Sequence, residues 1–471
     1  MTPYFERYGN HYATILRLGM PLLLGQLGVI VTGYADTIMV GNYNTDALAS
    51  ASFVNSIMAF VLMLSMGFSY GLTPLVGALY GSDNDAQLAG MVRGGVVANV
   101  AYVALWSLPL ALGYLFLHRI GLPEHLLPVI RPYYVLLLIS LLPIGAINAL
   151  RQFTDAINDT KVSMYILVAG NGLNILLNYM LIYGRWGAPE MGLTGAGVAT
   201  LTARVVMLAA YVAYILSRRS YNRYRRLLLH GRTEKSQLRL ITVTSLPISM
   251  QIGMETAIFT AASIFAGWLG ANTMAAVQVL TTIGQLGFMV YYSLGAAASI
   301  KMSNYLGAGD TTRIREVAHA GYVIILASAV LASVVFYFFG HALAQLFTND
   351  QAVVALVSSQ IGLLILYQFG DATQIAFANN LRGIAHVKPI MNRAFVAYIV
   401  IGIPVMYMLC FPIGLKISGI YLAHTISLLT AGALFYLTFR TRIKELARSM
   451  LRERDASHKS RNKRINRPSS E

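Results

Sequence analysis

Three acidic side chains, Asp36, Glu255 and Asp371, lie within long apolar stretches of the sequence. A carboxylate in the hydrocarbon layer of a membrane costs about 2.5 to 3.5 kcal/mol on insertion scales, so a function is the default explanation for its presence. The other sixteen of the 19 Asp and Glu residues are expected in polar connecting segments. Because a proton or a bound cation stabilises a carboxyl group in hydrocarbon, these three acids predict cation chemistry.

The two acids of the second half of the chain have neighbours that favour an organic cation. Gln251 precedes Glu255 by four positions, and Tyr367 precedes Asp371 by four, so each pair shares one helix face. An aromatic ring binds a desolvated cation with about 2 kcal/mol or more. The alternative for the aromatic residues is packing or anchoring in the membrane. The predicted pocket consists of Gln251, Glu255, Gln278, Phe288, Tyr367 and Asp371.

Amide side chains form a second polar group in the first half. Asn174 and Asn178 are four positions apart and offer two oxygens on one helix face, toward which Asp36 is expected to point. Thr200 is a candidate for a further oxygen ligand, and oxygen-only ligands suit hard cations. The alternative for the two asparagines is hydrogen bonding between helices.

The composition describes an all-α polytopic membrane protein. The chain has 471 residues, of which 56% are hydrophobic and 11% charged, with a mean hydropathy of +0.60. A spanning helix needs about 20 apolar residues, and the runs are continuous rather than alternating as in barrel strands. The twelve predicted helices begin near Ala13, Ala47, Met91, Leu126, Val162, Leu193, Leu238, Met274, Val317, Ala352, Pro389 and Gly419. Candidate kinks are Pro21, Pro74, Pro109, Pro143, Pro247 and Pro404.

The basic residues predict the orientation in the membrane. With both termini in the cytoplasm, about thirty of the 35 Lys and Arg residues fall on the cytoplasmic side. This placement explains the net charge of +16, so no nucleic-acid partner is expected. Residues 446–471 form a basic cytoplasmic tail, which is expected to lie against anionic lipid and to be partly disordered.

The sequence repeats internally at an offset of about 226 positions. Pro21 then aligns with Pro247, and YGSDND from Tyr80 aligns with LGAGDT from Leu306. The offset predicts two parallel six-helix lobes, residues 1–225 and 226–445, with a site at their shared cleft and transport by alternating access. None of the three acids recurs in the other half, which favours substrate or ion chemistry over packing.

These features resemble the multidrug and toxic compound extrusion (MATE) family, particularly its NorM-type bacterial branch. The resemblance covers nearly the whole chain and depends on the segments GYADTIMVG, NGLNILLNYM, SMQIGMET and LYQFGD. It implies a V-shaped efflux antiporter of the bacterial inner membrane that expels bulky, often cationic organic compounds as Na⁺ or H⁺ flows inward. It also implies an ion or proton site in the first lobe. Na⁺ sites are expected at Asp36, Asn174 and Asn178, or at Glu255, Tyr367 and Asp371.

Other functions have less support from the sequence. A lipid-linked oligosaccharide flippase with a related twin-bundle fold would need cationic residues in its cavity, and Arg204 is the one candidate within a predicted span. A membrane enzyme would need a nucleophile, a base and an orienting group close together, and the predicted spans contain no such cluster. We therefore expect a non-enzymatic transporter, without a cofactor and monomeric, in which Cys410 is a packed core residue.

Overall fold

The computed structural model describes residues 3–119, 123–230 and 233–465, and these form an almost entirely helical chain. Three short 3₁₀ turns and one π-helical segment, Phe395–Gly402, complete the helical structure. The α-helices are α1 (Pro3–Tyr43), α2 (Thr45–Ser69), α3 (Leu72–Gly81), α4 (Asp85–Leu115), α5 (Leu127–Ala156), α6 (Thr160–Tyr183), α7 (Gly192–Ser217), α8 (Asn222–His230), α9 (Lys235–Trp268), α10 (Ala271–Gly307), α11 (Thr311–Phe347), α12 (Gln351–Ser359), α13 (Ile361–Gly383), α14 (Lys388–Ala394), α15 (Ile403–Cys410) and α16 (Lys416–Ile465).

Twelve stretches within the described residues are long and apolar enough to cross a membrane, which confirms the predicted number. Most begin within a few residues of the predicted position. The tenth prediction was wrong, because a short helix, α12, starts near Ala352 and the span itself begins at Ile361. Large apolar side chains on the outside of the bundle are exposed, among them Leu105, Leu112 and Phe338. Such a surface is stable in lipid rather than in water.

Two of the spans are interrupted where the sequence predicted kinks. The second span breaks between α2 and α3, and Pro74 lies in the first turn after the break. The eleventh span passes through the π-helical segment before α15, which has Pro404 at its start. A proline removes one backbone donor, and membrane helices tolerate this where neighbouring groups satisfy the freed carbonyl.

The two halves of the chain share details of backbone geometry at the predicted offset. Asp83 and Gly309, which are 226 positions apart, both have a positive φ, of 53° and 71°. The next residues, Asn84 and Asp310, both cap a helix by accepting a hydrogen bond from a backbone N–H in its first turn, at 3.2 and 3.0 Å. The same turn therefore starts α4 and α11, which supports an internal repeat.

The two halves of the bundle, α1–α7 and α9–α16, meet along a small set of helices. Helix α2 packs on α9, α1 on α10, and α3 on α10. We call the end of the bundle where α1 begins and α16 continues the terminal end. There α3 and α10 are so close that a Cβ added at Gly81 would collide with the Asn304 carbonyl, and one at Gly307 with the Ala78 carbonyl. The halves are thus in contact at the terminal end.

The predicted tail begins inside a helix. Helix α16 continues from its membrane span through residue 446 to Ile465, so the backbone of the expected disordered region is helical as far as that residue. Residues 466–471 lie outside the described part of the chain.

Candidate functional site

A cavity of about 290 Å³ lies between the two halves of the bundle. Helices α9, α10 and α13 form most of its wall, and α2 of the first half closes the remaining side. Its volume is near the lower end of the range of about 300 to 1,000 Å³ that is typical of ligand sites. The lining residues are Met63, Met66, Tyr70, Gln251, Ile252, Glu255, Thr256, Phe259, Thr281, Gln285, Phe288, Tyr292, Tyr367, Gln374, Ile375, Ala378, Asn379 and Arg382.

The acid that lines the cavity, Glu255, is held by a short chain of hydrogen bonds. Gln251 Nε2 donates to Glu255 Oε2 at 2.8 Å, as the spacing of four residues predicted. Arg382 Nη2 donates in turn to Gln251 Oε1. The amide therefore connects a carboxylate and a guanidinium, and it fixes the direction in which Glu255 presents its second oxygen.

Aromatic rings surround this carboxylate. Phe259, Phe288 and Tyr367 all line the cavity. The ring of His424 lies 4.8 Å from that of Phe259 and 6.0 Å from that of Tyr367, so His424 is packed among aromatic side chains. A cavity that combines an anionic group with several aromatic rings suits an organic cation.

Asp371 lies behind the cavity wall rather than on it. Its side chain is 2% exposed and does not line the cavity, although Glu255 is near enough to interact with it as a like charge. Within the described chain Asp371 Oδ2 has no hydrogen-bond partner, and neither do Gln368 Oε1 and the Tyr291 hydroxyl. Buried polar atoms without partners usually hold water or an ion.

Glycine 287 keeps space open beside these atoms. A Cβ at Gly287 would lie 2.6 Å from Gln368 Oε1 and 2.9 Å from the Tyr291 hydroxyl. The two oxygens therefore converge on a position that no side chain fills. The φ of Gly287 is not positive, so the backbone conformation itself does not require glycine. Glycine is needed because a Cβ atom would come too close to the two oxygens.

A polar layer, which we call the polar floor, lies below the cavity on the side of the terminal end. It consists of Tyr70, Arg151, Asp155, Tyr292 and Arg382, which line a small pocket next to the cavity. Arg151 Nε is 3.7 Å from Asp155 Oδ2, and Ser163 Oγ donates to Asp155 Oδ1 at 2.7 Å. The Arg382 guanidinium lies over the Tyr70 ring at 5.7 Å. Both halves contribute to this layer.

The polar floor corrects two predictions from the sequence. Asp155 is 3% exposed within α5, so it is a fourth acid within a span and not part of a polar connecting segment. The placement of basic residues in the sequence predicts a cytoplasmic loop for Arg382, His386 and Lys388, but Arg382 is 5% exposed within α13. His386 does lie in the turn between α13 and α14, where burial lowers its pKa. Arg204 is consequently not the one cationic residue within the spans.

A second residue of the predicted pocket also lies outside the cavity lining. Gln278 is exposed on α10 and does not line the cavity. Gln285, two turns further along the same helix, lines it instead. Residues seven apart share a helix face, so the predicted residue lies on the correct face of α10 but at the wrong depth.

The polar group of the first half forms one connected network. Asn178 Nδ2 donates to Asp36 Oδ1 and lies 3.2 Å from Asn174 Oδ1, while Asn174 Nδ2 donates to Thr200 Oγ1 at 3.4 Å. The four side chains come from α1, α6 and α7. Arg204, one turn beyond Thr200, interacts electrostatically with Asp36 and donates to Ser140 Oγ at 2.6 Å.

Both polar groups supply oxygen atoms suited to a hard cation. In the first half these are the Asp36 carboxylate, the Thr200 hydroxyl and Asn178 Oδ1, which has no hydrogen-bond partner among the described residues. The Arg204 guanidinium offsets part of the charge there. Nowhere in the described ranges do three His, Cys, Asp or Glu side chains converge as a conventional metal site.

The fold and this charged internal cavity define a polytopic membrane transporter. The MatE family model matches residues 21–180 and 247–408 of the chain, and its two matches start 226 positions apart. The chain belongs to this family, whose members are transporters and not enzymes.

Relatives and solved structures agree with this membership. Multidrug resistance protein NorM of Vibrio cholerae is 29% identical over 405 residues, which cover 86% of this chain and 88% of that protein. A eukaryotic MATE transporter superposes with a TM-score of 0.81 at 19% identity, covering 94% of this chain and 99% of that chain. A MOP superfamily transporter from Pyrococcus furiosus, described as having a binding pocket of reverse polarity, superposes with a TM-score of 0.83 at 18% identity, covering 95% and 99%.

Proposed function

We propose that this chain is a secondary active multidrug efflux antiporter, which exports bulky, often cationic organic compounds in exchange for inward Na⁺ or H⁺ by alternating access. The observation that carries the proposal is the cavity between the halves, in which the Glu255 carboxylate lies among Phe259, Phe288 and Tyr367. Family membership and the NorM relatives support the same function. The bacterial inner membrane, with both termini in the cytoplasm, is the proposed location.

The two buried acids of the second half have different parts in this proposal. Glu255 faces the cavity and meets the cargo, while Asp371 lies behind Tyr367 with an unpartnered oxygen. Because the two acids repel each other when both are ionised, a cation at one of them favours ionisation of the other. Cargo and a coupling ion in the second half would thus compete for one shared negative charge.

The contact between the halves supports alternating access. The polar floor and the close approach of α3 to α10 close the cavity toward the terminal end, which is cytoplasmic in the proposed orientation. Export then requires this contact to open and re-form in each cycle. The coupling group of the first half is Asp36 with Asn174, Asn178 and Thr200.

The lipid-linked oligosaccharide flippase gains support from one observation, because Arg151 and Arg382 lie in the polar floor. Arg151 forms an ion pair with Asp155, and Arg382 donates to Gln251, while the Nε atom of each has no hydrogen-bond partner among the described residues. The acid that faces the open cavity is Glu255, so a cation remains the better ligand there.

Dye transport in everted vesicles tests the proposed function. Ethidium should accumulate under an imposed inside-high Na⁺ or inside-acid gradient, and the matching ionophore should abolish its accumulation.

Asp371→Asn and Glu255→Gln should each lower the rate at least about tenfold, because one shared charge is lost. Asp350→Asn is the matched control, since Asp350 is an exposed helix cap and Asn also caps. The proposal would be refuted if Asp371→Asn transported ethidium at the wild-type rate at equal expression. It would also be refuted if neither the Na⁺ gradient nor the H⁺ gradient drove ethidium accumulation by the wild type.

A further inference from the structure

A second crevice, of about 610 Å³, lies between α11, α13 and α16 on the outside of the second half. It shares no lining residue with the central cavity. Helix α13 separates the two spaces, because Gln374, Ala378 and Asn379 face the cavity whereas Thr373, Phe377 and Asn380 face the crevice. The crevice is thus a separate feature.

The wall of this crevice is apolar and aromatic. The ring centroids of Tyr322 and Phe377 are 5.0 Å apart, and Phe377 lies 5.0 Å from Tyr436. Tyr436 and Ala433 are exposed on the outer face of α16, where the surrounding surface is hydrophobic. The crevice therefore opens toward the hydrocarbon side of the bundle, and its inner surface fits an acyl chain.

The end of the crevice near the terminal end is polar and positively charged. Arg315 lines it, is exposed, and has no ion pair among the described side chains, whereas the adjacent Glu316 is bound by Arg7 and His11. Asn380 also lines the crevice and is 2% exposed, and its amide nitrogen has no hydrogen-bond partner in the described structure. A buried donor without a partner is costly unless a ligand supplies an acceptor.

We propose that this crevice binds one anionic phospholipid of the cytoplasmic leaflet. Arg315 pairs with the phosphate, the Asn380 amide donates to an oxygen of the glycerol ester region, and the rings of Tyr322, Phe377 and Tyr436 contact an acyl chain. Charge complementarity favours an anionic lipid, because basic pockets between membrane helices on the cytoplasmic side attract anionic head groups. The proposal concerns the outer surface and does not depend on which cargo occupies the central cavity.

Native mass spectrometry of the purified protein tests this lipid site. The protein is mixed with equal amounts of palmitoyl-oleoyl phosphatidylglycerol and phosphatidylcholine. Wild type should retain one phosphatidylglycerol with about fivefold preference, the effect expected of one basic residue near lipid phosphate. Arg315→Gln should bind both lipids equally. Ala433→Trp should lose both, because the added ring fills the exposed mouth of the crevice.

The matched control is Arg313→Gln, which removes an exposed arginine that pairs with Asp310 and does not line the crevice. It should keep the wild-type preference. Equal retention of both lipids by wild type, or an unchanged preference in Arg315→Gln, would overturn the proposal. Wild-type lipid retention in Ala433→Trp would also overturn it, as would displacement of the bound lipid by ethidium. Normal dye efflux together with lost lipid preference would separate this site from the transport function.

Discussion

The charge of the central cavity depends on a few individual side chains. Glu255 carries the negative charge that a cationic cargo meets, and the Arg382 guanidinium reaches the same cavity through Gln251. In the absence of cargo this arginine offsets the carboxylate, which makes a buried acid less costly. The same positive charge on Arg382 also weakens the attraction of a cationic cargo to Glu255. Arg382 therefore sets a balance between the stability of the empty cavity and its affinity for cargo.

Replacing Arg382 by Gln should tighten the binding of a cationic dye by about tenfold and lower the thermal stability of the empty protein. Arg382 and Glu255 are linked through Gln251 and not by a direct ion pair, so their interaction is weaker than the roughly 4 kcal/mol of two unit charges about 4 Å apart at an effective dielectric constant of about 20. Removing the arginine still strengthens the field of Glu255. Arg382→Lys keeps the charge and is the matched control, with near-normal affinity. Equilibrium binding of ethidium to the purified protein measures the effect. Equal or weaker binding by Arg382→Gln would contradict this role.

The spacing of residues in the sequence predicted some of these contacts and missed others for a physical reason. Gln251 and Glu255 pair because residues four apart share a helix face. Asp155 and Arg382 each lie next to a turn that ends a span, where polar residues are normal, so hydropathy does not distinguish a side chain facing water from one facing another helix. Asp371 has the predicted face but lies behind the wall, because helical periodicity gives direction and not depth.

Among the helices, α3 and α10 form the closest contact between the two halves. Small residues let their backbones approach, as is common for helices in membranes. Asn304 Nδ2 donates to the Gly77 carbonyl at 3.2 Å and to the Ala156 carbonyl at 3.0 Å, so one side chain of the second half binds two helices of the first. The contacts of Gly81 and Gly307 are related by the repeat. A contact of this kind is specific for one closed conformation.

A larger residue at Gly307 should open the terminal end. The added side chain of Gly307→Val would collide with the Ala78 carbonyl, and overpacking of this kind costs about 1 to 3 kcal/mol. In a Cys410→Ala background, a cysteine placed at buried Ser303 should then react about tenfold faster with a membrane-impermeant maleimide added on the cytoplasmic side. Ethidium efflux should fall.

Gly172→Val is the matched control, because a Cβ at Gly172 meets no atom within 4 Å. Labelling and efflux in that variant should match the parent. Unchanged labelling of the Ser303 cysteine in Gly307→Val, in protein that still elutes as a single species, would contradict a gate at this contact.

The two halves of the molecule share details of backbone geometry, whereas several of their polar groups occur in one half alone. The turns at Asp83 and Gly309 are equivalent, yet Asp36 occurs in the first half alone, and Glu255 and Asp371 in the second alone. The scaffold could therefore be predicted from the offset of 226 positions, which the two family matches also have. The assignment of different tasks to the halves stays a proposal. It requires that ion coupling and cargo binding be separable by mutation.

The separation is testable with Asp36→Asn, which should retain cargo binding and lose ion-driven transport. Asp36 is bonded to Asn178 in the first half, and the acids at the cavity belong to the second, so its loss leaves the cargo contacts in place. The dissociation constant of ethidium should stay within about twofold of wild type, whereas uptake into everted vesicles under an imposed gradient should fall at least about tenfold. Glu255→Gln should show the opposite order, with binding lost first, because Glu255 is the acid that lines the cavity. Coupled binding is reciprocal, so the ion and the cargo each change the affinity of the protein for the other. Normal ion-driven exchange by Asp36→Asn would therefore show that the first half has no part in coupling, and both tasks would then belong to Glu255 and Asp371.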